Sequence, residues 1–95
     1  MATIQHITKA VSEVAKNYPI TKIILFGSYA DGTNTEHSDI DLLVEFETMA
    51  VSLLIIADIK YKIEDILGVD VDIIHAPLPE GAMIDINKAV EIYAA

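Results

Sequence analysis

The chain has 95 residues, a formal net charge of −9 and six basic residues, all of them lysine. An acidic chain without arginine lacks the basic face that duplex DNA binding requires, and the absence of cysteine excludes disulfides, thiolate zinc sites and cysteine nucleophiles. No apolar run reaches the ~18 residues of a membrane span, the N-terminus carries polar and charged residues where a signal peptide would be apolar, and an apolar content of 53% argues against disorder.

The expectation is therefore a single domain over residues 1–95, in the cytoplasm. The mean hydropathy of +0.43 is high for so small a globule. It raises the question of what covers the excess apolar surface.

In chain order, Ile4, Ile7, Val11, Val14 and Ala15 follow the spacing of an amphipathic helix. Thr3 is its N-cap, and it must stop before Tyr18-Pro19. Lys22 to Phe26 is a β-rich apolar run ended by Gly27, which predicts a buried strand. Residues 28–38 are polar, with a short helix at the start and a loop after it. Asp39 to Phe46 predicts a second strand. Residues 49–67 predict a long helix, with Leu53, Ile56, Ile59 (or Lys60), Ile63 and Leu67 in one stripe and Gly68 as C-cap. Leu54, Ile55 and Ala57 widen that stripe. Val69 to His75 predicts a third strand, followed by a proline-punctuated loop. Residues 82–93 predict a last helix, with Ile84, Ala89, Val90 and Tyr93 inward. The fold class is α/β (α+β): a small mixed three-stranded sheet flanked by helices, in the order α-β-α-β-α-β-α.

Chemistry gathers where the first two strands meet. Gly27-Ser28 leaves strand one, and after ten intervening residues Asp39-Ile40-Asp41 enters strand two. Residues i and i+2 of a strand share a face, so Asp39 and Asp41 point the same way. Two adjacent carboxylates repel unless a cation lies between them. Mg²⁺ fits, because it takes one or two carboxylates and completes its shell with water and phosphate oxygens. Asp72 lies in the third strand, flanked by the apolar Val71 and Ile73, and joins the pair if strands two and three are neighbours. Three carboxylates could hold two metals ~3.5–4 Å apart for in-line phosphoryl or nucleotidyl displacement. Gly27 would let backbone N–H groups approach a phosphate, a helix starting at Ser28 would aim its N-terminus there, and the Ser28 hydroxyl adds a donor.

Other features have plainer readings beside the functional ones. Asp70 shares a strand face with Asp72 and is its rival. Gly27 to Gly32 fits the spacing of a P-loop, but Thr33 stands where the lysine belongs. Tyr29 either stacks on a base or packs under the loop. His37 is close enough in sequence to touch a phosphate. His6 reads as a helix-surface residue and His75 as structural. Leu53 through Ile56 are four consecutive large apolar residues. They make residues 51–67 a candidate subunit interface.

The motif G-S-x10-D-x-D, here Gly27-Ser28 to Asp39-Ile40-Asp41, resembles the signature of the DNA polymerase beta-like nucleotidyltransferase superfamily. The stretch LFGSYADGTNTEHSDIDLLVEF, a long helix and then GVDVDII is similar to its minimal nucleotidyltransferase (MNT) group. The likeness extends from about Ile20 to Tyr93. It implies that Asp39, Asp41 and Asp72 bind a two-metal Mg²⁺ site and carry catalysis, and that Gly27 and Ser28 contact the nucleotide phosphates. It further implies transfer of AMP from ATP, or of another nucleoside monophosphate, to a hydroxyl, with Asp72 as general base. The partner implied is a small helical HEPN toxin modified on a tyrosine, this chain being its antitoxin. One position departs from the pattern: Asp31 stands where relatives often carry a basic residue. A carboxylate there would repel a triphosphate, and Lys22 or a partner's basic residue would have to compensate. The alternative function is an interaction subunit of low or no activity that neutralises its partner by occlusion. The net charge and the apolar helix suit it.

Overall fold

The computed structural model describes residues 3–33, 35, 38–48, 50–75 and 89–95, and in it the first apolar stripe becomes helix α1 (Ile4–Ala15). The Thr3 side chain caps it by accepting from the His6 N–H at 3.2 Å. Ile7, Ala10, Val11, Val14 and Ala15 are its buried residues, and Ile4 lies at the exposed end of the stripe. Strand β1 (Ile20–Phe26) follows the predicted stop at Pro19. One helical turn, α2 (Ser28–Asp31), leads towards β2 (Ile40–Phe46).

Helix α3 (Leu53–Leu67) starts on Ser52, which accepts from the Leu54 N–H, and ends on left-handed Gly68. Ile59 and Ile63 are fully buried, and Ile55, Ile56 and Leu67 pack beside them. Leu53, the first residue of the predicted stripe, is 81% exposed instead. It lies in the first turn of α3, beyond the part of the helix that covers the sheet.

Strands β3 (Val71–His75) and β4 (Val90–Ala94) complete a four-stranded sheet in the order β3-β2-β1-β4. β3 runs parallel to β2, and β1 is antiparallel to both β2 and β4, so the sheet is mixed. The helix predicted over 82–93 is corrected where the structure describes it: Val90 and Tyr93 belong to a strand that pairs with β1. Its earlier part, including Ile84, lies outside the described residues. The physical reason is that β1 is apolar and central and needs a hydrogen-bonding neighbour on each side. Val90, Ile92 and Tyr93 are also good strand residues.

α1 packs against α3, and both cover one face of the sheet. Ile20, Ile23 and Leu25 of β1 and Ile40, Leu42, Val44 and Phe46 of β2 point into that layer. The opposite face carries the alternate residues. On it, Ile24, Leu43 and Ile74 form one cross-strand row, and Phe26, Asp41 and Asp72 form the next. Thus the two-residue period delivers the acids to the face away from the helices.

Burial separates two parts of α3. Ile63→Ala should lower unfolding stability by about 2–5 kcal/mol in urea titration. Leu54→Ala, at a side chain that is 81% exposed, should change it by less than about 0.5 kcal/mol.

Candidate active site

β1 ends at Gly27, whose φ of 78° and ψ of −156° fall in a region open almost only to glycine. A Cβ built there would lie 2.5 Å from Oδ2 of Asp41 and 3.4 Å from its Cγ. Glycine is thus required twice, for its backbone angles and for the close approach of the carboxylate. The cause is the register: Phe26 is opposite Asp41, so the residue after Phe26 turns across the acid. Ser28 then opens α2 and is half-buried. α2 is only four residues long, too short to build a macrodipole, so anion recognition there rests on local N–H groups and the hydroxyl.

Asp41 stands directly beside Asp72 across the parallel β2–β3 pair. Asp39 lies just before β2 and is exposed, as is Asp72, whereas Asp41 is half-buried. Burial pushes the Asp41 carboxyl above its ordinary pKa, and the charges of Asp72 and then Asp39 push it further. The three acids predicted from the sequence therefore act on one another. Asp39 and Asp72 carry like charges and gain by facing water. Among the described residues no three His, Asp or Glu side chains form a ready-made metal cage.

The rivalry between Asp70 and Asp72 is resolved by pairing. Asp70 precedes β3 and uses its carbonyl to accept from the Ile40 N–H at 2.9 Å, while Asp72 takes the place beside Asp41. Tyr29 is buried in the core and packs rather than presenting a stacking surface. His75 is packed edge-on to Phe46, with ring centroids 5.1 Å apart, and His6 is on the exposed face of α1. Lys22 is at the far end of β1, five residues and about 17 Å from Gly27. It pairs with Glu91 at 3.8 Å. The side chain of Asp31 and all of His37 lie outside the described residues.

Two polar residues that the sequence did not connect with the site adjoin it, Lys60 having figured only as the alternative to Ile59 in the α3 stripe. Lys60 Nζ donates to Glu64 Oε2 at 2.6 Å and to the Val71 carbonyl at 2.8 Å, and Glu64 Oε2 accepts from the Val71 N–H at 2.9 Å. The Lys/Glu spacing of four was a visible signal. That both reach the residue preceding Asp72 was not.

Known proteins resemble this chain throughout. Residues 7–92 match the family described as "Nucleotidyltransferase domain". A candidate protein adenylyltransferase of Methanocaldococcus jannaschii is 37% identical over 94% of this chain and 97% of its own length. Protein adenylyltransferase MntA of Thermococcus cleftensis is 35% identical over 72% of this chain and 68% of its own. A solved structure of a candidate minimal nucleotidyltransferase superposes with a TM-score of 0.69 at 34% identity, over 83% of this chain and 84% of that one. Two others share the fold. One is a toxin–antitoxin complex with AMP-PNP, with TM-score 0.76 at 20% identity over 93% and 73% of the two chains. The other is a tri-AMPylated Shewanella oneidensis HEPN toxin with its MNT antitoxin, with TM-score 0.70 at 17% identity over 98% and 74%.

The raised Asp41 pKa has a sign that can be tested. Its contribution to stability is present below the carboxyl's unfolded pKa and is lost as pH rises through the raised folded one. Near neutral pH the charged Asp41 is therefore a liability to the metal-free fold. Asp41→Asn should raise the melting temperature of the metal-free protein at pH 7, as read by thermal unfolding. Gly27→Ala should lower stability by about 1–3 kcal/mol, from backbone angles alone.

Proposed function

The chain belongs to the nucleotidyltransferase domain family, in its minimal branch, and is a nucleotidyltransferase; from this premise we propose that it moves AMP from ATP onto a tyrosine hydroxyl of a HEPN-type toxin and so serves as the antitoxin. The observation that carries this reading is the Asp41 environment. A half-buried carboxylate held beside two others and against Gly27 is uphill on its own. It becomes favourable when cations and a phosphate share the space.

The donor set is all carboxylate oxygen, which fits Mg²⁺. Asp39, Asp41 and Asp72 would hold it. When bound, the metal supplies charge neutralisation for the triphosphate and for the entering and leaving oxygens. Gly27 offers backbone that a phosphate can approach closely, and the Ser28 hydroxyl donates to it. The acceptor hydroxyl oxygen forms a bond to the α-phosphorus, and the bond from that phosphorus to the pyrophosphate bridging oxygen breaks. The hydroxyl proton passes to an Asp72 carboxylate oxygen, and pyrophosphate leaves with the electron pair. The exposure of Asp72 at the sheet edge lets an incoming side chain reach it. ATP as donor is supported by a fold relative solved with AMP-PNP, and a HEPN partner by another solved with its AMPylated toxin.

Residues 1–95 are one catalytic unit in this reading, with the acceptor brought by another chain. α3 suits that contact, because Leu53 and Leu54 are each 81% exposed and Tyr61 and Ile66 are exposed too. The same observation favours a second reading, in which this acidic chain neutralises its partner by covering it through residues 51–67, or self-associates there. No helix among the described residues is long and apolar enough to cross a membrane, and we place the protein in the cytoplasm.

Labelled ATP and Mg²⁺ separate the readings. With the co-purified partner, label should appear on a partner tyrosine. Asp39→Asn combined with Asp41→Asn should reduce it at least about a hundredfold. If the double variant still inhibits the partner fully and the wild type leaves it unlabelled, occlusion is the function.

A further inference from the structure

We propose that Lys60 and Glu64 are positioning residues for Asp72: they hold the open edge of β3 at Val71 and thereby fix where the next residue's carboxylate stands. The proposal rests on the nucleotidyltransferase reading, because it assigns a task inside that site.

Among the described residues β3 is an edge strand with β2 as its neighbour. In a strand the N–H and C=O of one residue point to the same side, and that side alternates along the chain. The Asp70 carbonyl accepts from Ile40 of β2 at 2.9 Å. Asp70 and Asp72 therefore turn their backbone groups towards β2, and Val71 turns both of its own outward. An edge commonly leaves such groups to water. Here α3 satisfies them. Glu64 accepts from the Val71 N–H at 2.9 Å, and Lys60 donates to the Val71 carbonyl at 2.8 Å. The two side chains close the ring with their own 2.6 Å contact and are 33% and 18% exposed.

Asp72 itself is exposed and faces a like charge at Asp41, so its side chain has little packing to fix it. Its backbone is fixed from both sides instead, by pairing to β2 and by the clamp on Val71. The Lys60 ammonium is held above its ordinary pKa first by its hydrogen bond to Glu64 and then, among nearby charges, by Glu64 and Asp72. Cation and site carboxylate are thus within electrostatic range. Groups one shell out from a metal site are commonly worth about 10–100-fold in affinity or activity.

The test compares Lys60→Met, Glu64→Ala and Glu64→Gln in the full chain, well below each melting temperature. Mn²⁺ affinity is the first readout. The first two variants change the net charge in opposite directions. A purely electrostatic role would tighten Mn²⁺ binding in Lys60→Met and weaken it in Glu64→Ala. A positioning role weakens both, by about tenfold. It also lowers kcat with little change in KM for ATP. Hydrogen exchange at the Val71 amide should quicken in Glu64→Ala. Glu64→Gln, which keeps an acceptor for that amide, should recover most of each loss. Opposite shifts in Mn²⁺ affinity, or unchanged affinity with a lower melting temperature alone, overturn the proposal. A wild type that transfers no nucleotide fails the functional reading instead, and the Mn²⁺ and exchange results still decide this one.

Discussion

The site depends on the close approach of Gly27 to Asp41. One added carbon would lie 2.5 Å from the carboxylate oxygen, so a turn residue and a strand acid occupy adjoining space with no margin. That proximity is set by the β1–β2 register, which places Phe26 opposite Asp41. The same register keeps Asp41 half-buried, and burial is the largest cause of its raised pKa. A site that concentrates negative charge in partial shelter gains most from a cation and a phosphate. Fold and chemistry are therefore linked through one cross-strand alignment.

Stability is drawn from the other side of the sheet. Ile23, Leu25, Ile40, Leu42 and Val44 meet Ile7, Val11, Ile59 and Ile63 in a core that excludes every charged side chain among the described residues. The alternation of strand residues keeps the two tasks apart: the inward set packs, and the outward set carries the acids. The sheet can then tolerate carboxylate repulsion at Asp41 because its helix-facing residues are unaffected by it. α3 serves both sides. It buries Ile59 and Ile63 against the sheet while Lys60 and Glu64 reach round to the edge of β3.

The excess apolar content has a partial answer. Much of it is core, and some of it is the open start of α3, where Leu53 and Leu54 face outward.

The residues themselves determined α1, β1, β2, α3 and the Gly-Ser and Asp-Ile-Asp spacing, because caps, periodicity and a glycine stop are local signals carried within a few positions. Tertiary structure alone decided the rest. Val90 to Ala94 satisfies a helical stripe in isolation and becomes a strand only because β1, distant in sequence, lacks a neighbour on that side. Asp70 and Asp72 are equivalent by the strand period, and only the parallel pairing with β2 sets Asp72 beside Asp41. Tyr29 could read as a stacking residue until the core closed over it. In each case the sequence specifies which face a residue takes, whereas long-range pairing specifies what that face meets.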